Sequence, residues 1–202
     1  MHDLKSTFGN IDIYLFDQLL KGRLKQGMRV LDAGCGRGRN LVYLLQQGYE
    51  VDGVDQDEGA IRYLRAIAKR LAPDVPADRF TIGEVAQLDF EDASFDFVIS
   101  SAVLHFSKDQ HHFHQMVNEM WRVLKPTGIL FARLASTIGI EDRVESKGEG
   151  WHHLPDGTDR FLVDQDQLLA KTEALGGKLL DPIKTTNVQN LRSMTTWVVQ
   201  KA

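Results

Sequence analysis

Apolar side chains follow two rhythms along this chain: short solid runs that suit strands buried on both faces, and three-to-four-residue spacings that put a stripe on a helix. After a leading amphipathic segment, IDIYLFDQLLKGRL, the run RVLDA predicts a strand, and NLVYLLQQ a helix with Leu41, Leu44 and Leu45 on one face. YEVDGVD predicts a second strand. The helix after it sets Ile61, Leu64, Ala68 and Leu71 in line, with Asp57 as its N-cap and Pro73 beyond its end. Short strands follow at Phe80 to Ile82 and at FDFVIS. A helix with Phe113, Met116, Val117, Met120 and Leu124 comes next, capped by Ser107 with Gln110 and stopped by Lys125, Pro126 and Gly128. ILFARLA is a fifth strand, Asp164 with Gln167 caps a helix that ends at Gly176 and Gly177, and KLLDPIK and MTTWVVQK are two closing strands.

Strands alternating with helices predict an α/β fold, a Rossmann-like doubly wound sheet with ligands at the carboxyl ends of its strands. Seven strands are expected. The last two share no helix, and a parallel return needs a crossover of a dozen or so residues, so they are expected to pair as a C-terminal antiparallel hairpin on a mostly parallel sheet.

Composition narrows the function classes. At 202 residues, 43% apolar and 26% charged, the chain is expected to form one domain over residues 1–202, with 1–27 as an N-terminal cap segment. No stretch is apolar enough for a membrane span, and MHDLKSTFGNIDIY lacks the basic-then-apolar pattern of a signal peptide, so a cytoplasmic location is expected. The lone Cys35 excludes an internal disulfide. A net charge of −4 without a basic block argues against nucleic acid, and a monomer or homodimer is expected.

The chemistry concentrates in VLDAGCGRGRN, residues 30–40. Gly34, Gly36 and Gly38 are spaced one residue tighter than the G-x-G-x-x-G dinucleotide fingerprint, whose amides hold a pyrophosphate. Asp32 stands directly before the loop, where it would repel a pyrophosphate and attract an ammonium or sulfonium group. Asp55 ends the second strand 19 residues after Gly36, where an acid accepts hydrogen bonds from ribose hydroxyls in either ligand class. Arg39, in the first helical turn, opposes the helix dipole, which a bound carboxylate or solvent would relieve.

Four segments in order, VLDAGCGRGRN, VDGVD, IGEVAQLDFEDASFDFVISSAVLHF and EMWRVLKPTGILFARL, resemble the class I S-adenosylmethionine-dependent methyltransferases from about Met28 to Leu134. The resemblance implies S-adenosyl-L-methionine as cofactor. It implies that Asp32, Ala33, Gly34 and Gly36 cradle the methionine part, that Asp55 binds ribose with Gln56 beside the adenine, that Glu84 and Val85 meet the adenine, and that Ser100 and Ser101 line the methionine side. It further implies Tyr14 as a covering contact; Arg39, by the dipole argument, and its neighbour Asn40 are candidates for the cofactor carboxylate. GCGRGRN and NLRSMTTWVVQK are similar to the tellurite-resistance methyltransferases, which implies that Arg192 holds an oxyanion.

The strand FDFVIS leads into SSAVLHF and not into an N-P-P-Y tetrapeptide, which argues against amino methylation of bases or glutamine and for a small-molecule acceptor at O, S or a metalloid. His105 just past that strand is a candidate general base. HHFH, with His111, His112 and His114, lacks a histidine pair at i, i+4 and acidic or cysteine partners, so a solvated helix face is expected and no metal site. The segment 136–163 is long for a connection and is expected to form a lid whose Trp151, His152 and His153, with Arg133 nearby, shape the acceptor pocket. Two other functions stay open: a regulatory module that binds the cofactor without turnover, and a nicotinamide-dependent oxidoreductase.

Overall fold

The computed structural model describes residues 3–202, so the first two residues of the expected cap segment lie outside the described residues. In chain order the elements are α1 (Leu4–Phe8), α2 (Ile13–Leu20), β1 (Arg29–Ala33), α3 (Leu41–Gln46), β2 (Glu50–Asp55), α4 (Glu58–Leu71), β3 (Phe80–Ile82), β4 (Phe95–Ser101), α5 (Gln110–Val123) and β5 (Leu124–Ala135). They continue as β6 (Glu145–Gly148), β7 (Trp151–His153), β8 (Asp159–Phe161), α6 (Gln165–Ala174), β9 (Lys178–Leu179), β10 (Lys184–Val188) and β11 (Arg192–Gln200).

Seven strands form one path, β10-β11-β5-β4-β1-β2-β3, with the two-residue β9 beside β11. β3, β2, β1, β4 and β5 are mutually parallel, and β11 runs antiparallel to β5 and to β10. This is the expected mostly parallel sheet with a closing antiparallel hairpin. The strand order reverses between β1 and β4, the place where doubly wound sheets open a crevice. One face buries Leu31, Val98, Leu130 and Trp197 against α5 and α6. The other buries Val30, Phe97, Ile99 and Phe131 against α2, α3 and α4.

Four local expectations are corrected. Asp109, not Ser107, caps α5, its carboxylate accepting from His112 N, because Ser107 turns its hydroxyl to the Asp109 carbonyl. β5 begins at Leu124 and not at Ile129: Leu124 pairs with Phe95, and Lys125 to Gly128 make a bulge in the ladder where a helix stop was expected. KLLDPIK is two strands because Asp181 turns out to Lys21, Arg23 and Gln18 and Pro182 has no N–H for a ladder. Finally, the 136–163 segment is no plain loop, since β6, β7 and β8 form their own antiparallel sheet.

The N-terminal segment is tied down by one buried carboxylate. Asp12 caps α2, its Oδ1 accepting from Tyr14 N, while its own N–H donates to Asn40 Oδ1 (3.0 Å). Its Oδ2 meets Arg39 Nη2 and Arg133 Nη1, both at 3.3 Å, and accepts from Ser101 Oγ. One side chain thus joins α2 to the ends of β4 and β5 and to the glycine loop. Replacing Asp12 with Ala strands the half-buried Arg133 and is expected to lower stability by about 2 kcal/mol. Hydrogen exchange of the α2 amides should rise at the same time; unchanged exchange in Asp12→Ala would show that α2 docks without help from this carboxylate.

Candidate functional site

At the end of β1 the chain turns sharply, with Gly34 N and Cys35 N both donating to Val54 O (2.8 and 3.0 Å). Gly34 has φ +85°, and a Cβ there would lie 2.3 Å from Val103 Cγ2, so only glycine lets this loop close against the loop after β4. Gly36 N donates to Asp55 Oδ2 at 2.7 Å, and Asp57 N donates to Asp55 Oδ1 at 2.9 Å. Asp55 is therefore oriented by backbone amides with lone pairs left over for a ligand. Gly38 lies away from the cleft, and a Cβ on it would strike Leu64 Cδ1 at 2.4 Å, which makes it a packing glycine between the loop and α4.

A cleft of about 380 Å³ opens at the strand reversal, within the range of small-ligand sites. Of the residues predicted from sequence, Gly34, Gly36, Asp55, Gln56, Glu84 and Val85 line it. Sequence reasoning missed Gly83, the Ala102–Val103 turn, Phe106, Lys108, His112 and Met116. Ala102 has φ +65°, a bend that no residue type in SSAVLHF announces. His112 corrects the expectation of a solvated histidine face: it stands on the cleft wall, its Nδ1 accepting from Lys108 N at 3.1 Å. Burial and the Lys108 charge lower its pKa, against the opposing pull of Glu84 and Asp109. Among the described residues no group of three or more His, Cys, Asp and Glu is placed to hold a metal ion.

Ser100 and Ser101 are strand residues beneath the cleft, not part of its wall. Ser100 is fully buried with no partner for its hydroxyl, and Ser101 donates to Asp12. Ala33 is buried at the end of β1. Arg39 donates to Asp12 and to Ser101 Oγ (3.0 Å), Asn40 holds Asp12 N, and the Tyr14 hydroxyl meets Thr186 Oγ1 at 2.6 Å. These three, with Arg133, form a polar cluster around Asp12, under the N-terminal segment.

His105 is buried, its Nδ1 accepting from Ala135 N at 3.3 Å and its ring 4.6 Å from that of Phe106. Burial, helped by Arg160 and Arg133, pushes its pKa down to about 4. It is neutral at pH 7 and a weak base. Trp151 donates its indole N–H to Lys108 O at 2.8 Å, which ties the inserted sheet to the cleft rim. His152 contacts the Gly150 carbonyl and His153 pairs with Asp159, so neither histidine is turned to the cleft wall. Arg192 is exposed at the start of β11, acting on Asp156 and absent from the cleft wall.

Asp32 is 1% exposed, and neither of its carboxylate oxygens has a hydrogen-bond partner among the described residues. Burial raises its pKa to about 7, with Arg39 opposing and Asp55 adding to the rise. An unpaired buried carboxylate beside a glycine loop fits a ligand that brings its own cation, and the Asp55 and Glu84 acids fit a ligand with hydroxyl and amino donors. Both features suit the adenosyl cofactor and the first disfavours a pyrophosphate.

A pKa raised on folding means that the folded chain binds the Asp32 proton more tightly than the unfolded one. Stability from this group therefore falls as pH rises from about 4 through about 7. In Asp32→Asn that fall is absent, so the ligand-free variant should exceed the wild type at pH 8 by on the order of 4 kcal/mol and match it near pH 4. Urea unfolding at both pH values measures this; a variant no more stable at pH 8 than at pH 4, relative to wild type, contradicts a desolvated carboxylate.

Residues 31–132 match the methyltransferase domain family. A probable S-adenosylmethionine-dependent methyltransferase of Mycolicibacterium smegmatis is 33% identical over 112 residues, 55% of this chain and 40% of that protein. The solved structure of a SAM-dependent methyltransferase from Methanosarcina mazei has a TM-score of 0.74 at 23% identity, covering 91% of this chain and 96% of its own. A TehB-like SAM-dependent methyltransferase from Corynebacterium glutamicum shares the fold with a TM-score of 0.62 at 20% identity, over 95% of this chain and 89% of its own. The match to such curated relatives spans less than half of their length, 40% to 48%. With half of its residues inside the matching domain and the glycine loop, Asp55 and Glu84 around one cleft, the chain belongs to the class I S-adenosylmethionine-dependent methyltransferase family.

Proposed function

We propose that this chain transfers a methyl group from S-adenosylmethionine to an oxygen or sulfur atom of a small-molecule acceptor. The observation that carries the proposal is the partnerless Asp32 carboxylate beside a glycine loop whose amide is already bonded to Asp55. In this reading Asp32 faces the cofactor ammonium, Asp55 and Gln56 the ribose, and Glu84 and Val85 the adenine. The bound cofactor supplies an activated methyl on sulfur for in-line displacement. The chain's task is then to align the acceptor and keep water out.

Among the described residues, neither histidine next to the cleft is free to serve as a strong base. With His112 Nδ1 taken by Lys108 N, the ring proton sits on Nε2, which donates and does not accept. His105 is occupied with Ala135 N and has its pKa near 4. Asp55 and Glu84 belong to the adenosine side. An acceptor that ionises by itself, a thiol or an acidic phenol, suits such a wall. The tellurite-type acceptor rests on Arg192, whose exposed position off the wall supports it less well. The regulatory alternative requires a pocket without room beside the methyl group, and the nicotinamide alternative requires a pyrophosphate beside Asp32.

Calorimetric titration with S-adenosylmethionine, S-adenosylhomocysteine and reduced nicotinamide dinucleotide tests the reading. Affinity for both sulfur compounds and none for the nicotinamide is expected, and Asp55→Ala should weaken the former by about 10-fold to 100-fold. Labelled methyl incorporation into thiols and phenols, with tellurite as a comparison, then tests turnover. No affinity for either sulfur compound defeats the reading; binding without transfer to any acceptor favours the regulatory one.

A further inference from the structure

The inserted sheet β6-β7-β8 meets the cleft at two points. Trp151 donates to the Lys108 carbonyl, and the Arg160 guanidinium lies over the Phe106 ring, 5.2 Å from its centroid. Phe106 lines the cleft and is 57% exposed, so Arg160 stands at its mouth. One guanidinium nitrogen, Nη1, donates to the Asp159 carbonyl at 2.7 Å. Among the described residues no carboxylate forms an ion pair with Arg160; Asp156 interacts with it from farther away. A half-buried guanidinium held on an aromatic face without a counter-ion is arranged to receive an anion.

A second guanidinium approaches from the main sheet. The Arg133 carbonyl accepts from Ala102 N at 2.7 Å, and Ala102 is part of the cleft wall. Its Nη1 pairs with Asp12, but its Nε is buried with no partner. Thr196, its partner across β5 and β11, is 5% exposed and its Oγ1 is likewise unpartnered. Cross-strand partners project to the same face, so these two unmet polar groups lie side by side. His105, whose ring lies 4.6 Å from that of the cleft residue Phe106, feels the charge of both arginines.

We propose that Arg160 and Arg133 form the specificity site of the acceptor, and that the acceptor carries an anionic group, a carboxylate or a phosphate, in addition to its nucleophile. The proposal rests on the methyl-transfer reading and names its substrate class. The carboxylates on the cleft wall, Asp55 and Glu84, would repel such a group from the adenosine side and so fix which way the acceptor enters. Arg160 acts as a specificity-determining residue; the reacting atoms lie elsewhere. The insertion that brings it to the cleft is thereby part of the acceptor site and not only a cover.

The test uses the full chain saturated with S-adenosylhomocysteine, so that the cofactor's own carboxylate cannot be the anion measured. Benzoate, inorganic phosphate and benzamide are titrated and followed by nuclear magnetic resonance shifts. At least one anion should bind about tenfold or more tightly than benzamide, and which one does so separates carboxylate from phosphate. Arg160→Gln should lose that preference while holding S-adenosylhomocysteine as the wild type does, and Arg160→Lys, which keeps the charge, should restore part of it. Equal affinity for all three probes, or an Arg160→Gln variant that folds, binds the cofactor product and keeps the preference, overturns the proposal. A wild type that fails to bind S-adenosylhomocysteine instead overturns the cofactor reading on which it rests.

Discussion

Asp32 lies one residue before the end of β1, both of its oxygens without a hydrogen-bond partner among the described residues, while the cation acting on it, Arg39, directs its guanidinium to Asp12 and Ser101. A carboxylate in that position opposes folding at neutral pH unless something charged comes to it. The surroundings keep that vacancy of charge from being filled internally. Gly34 brings the loop against Val103 so closely that no side chain fits between them, and Asp55 spends its amide-facing oxygens on Gly36 and Asp57. In the proposed reading ligand affinity and apo instability are two sides of one arrangement, the cation of the ligand meeting the charge that folding left unmatched.

In the proposed reading the N-terminal segment and the inserted sheet are two covers of the site, each held in part by a different cation–anion or cation–ring contact. The N-terminal segment is pinned by Asp12 between Arg39 and Arg133, and the inserted sheet is pinned by Arg160 on Phe106 and by Trp151 on Lys108. The first contact joins the cover to the glycine loop, the second to the loop after β4. Arg133 belongs to both neighbourhoods through Asp12 and His105, so the two covers share one electrostatic network. Apolar anchors hold both as well, Leu15 and Leu24 in the first and Phe161 in the second, each buried in a core of the main sheet.

Much of the fold was legible because parallel strands buried on both faces are written as solid apolar runs, and RVLDA matches β1 residue for residue. The capping box at Asp164 and Gln167 was equally plain. What escaped depends on pairings distant in sequence. The bulge that starts β5 at Leu124 is set by Phe95, and the break in KLLDPIK by Lys21 and Arg23 more than 150 residues away. The site divides in the same way. Residues on backbone loops next to strands that line the cleft, Gly34, Gly36, Asp55 and Glu84, are singled out by spacing, family resemblance and chemistry. Asp12, His112 and Arg160 were missed because an N-cap, a histidine in a polar stretch and an arginine in a short strand carry no local mark of what faces them.

The central claim is that the cofactor's cation takes over the charge of Asp32, and proton counting reports on it directly. Calorimetric titration of S-adenosylhomocysteine at pH 7, in two buffers of different ionisation heat, gives the number of protons exchanged on binding. With the ligand-free carboxylate near its midpoint at pH 7, binding should release about half a proton, and Asp32→Asn should release none. Binding with no proton release in the wild type, or with proton uptake, would contradict the account.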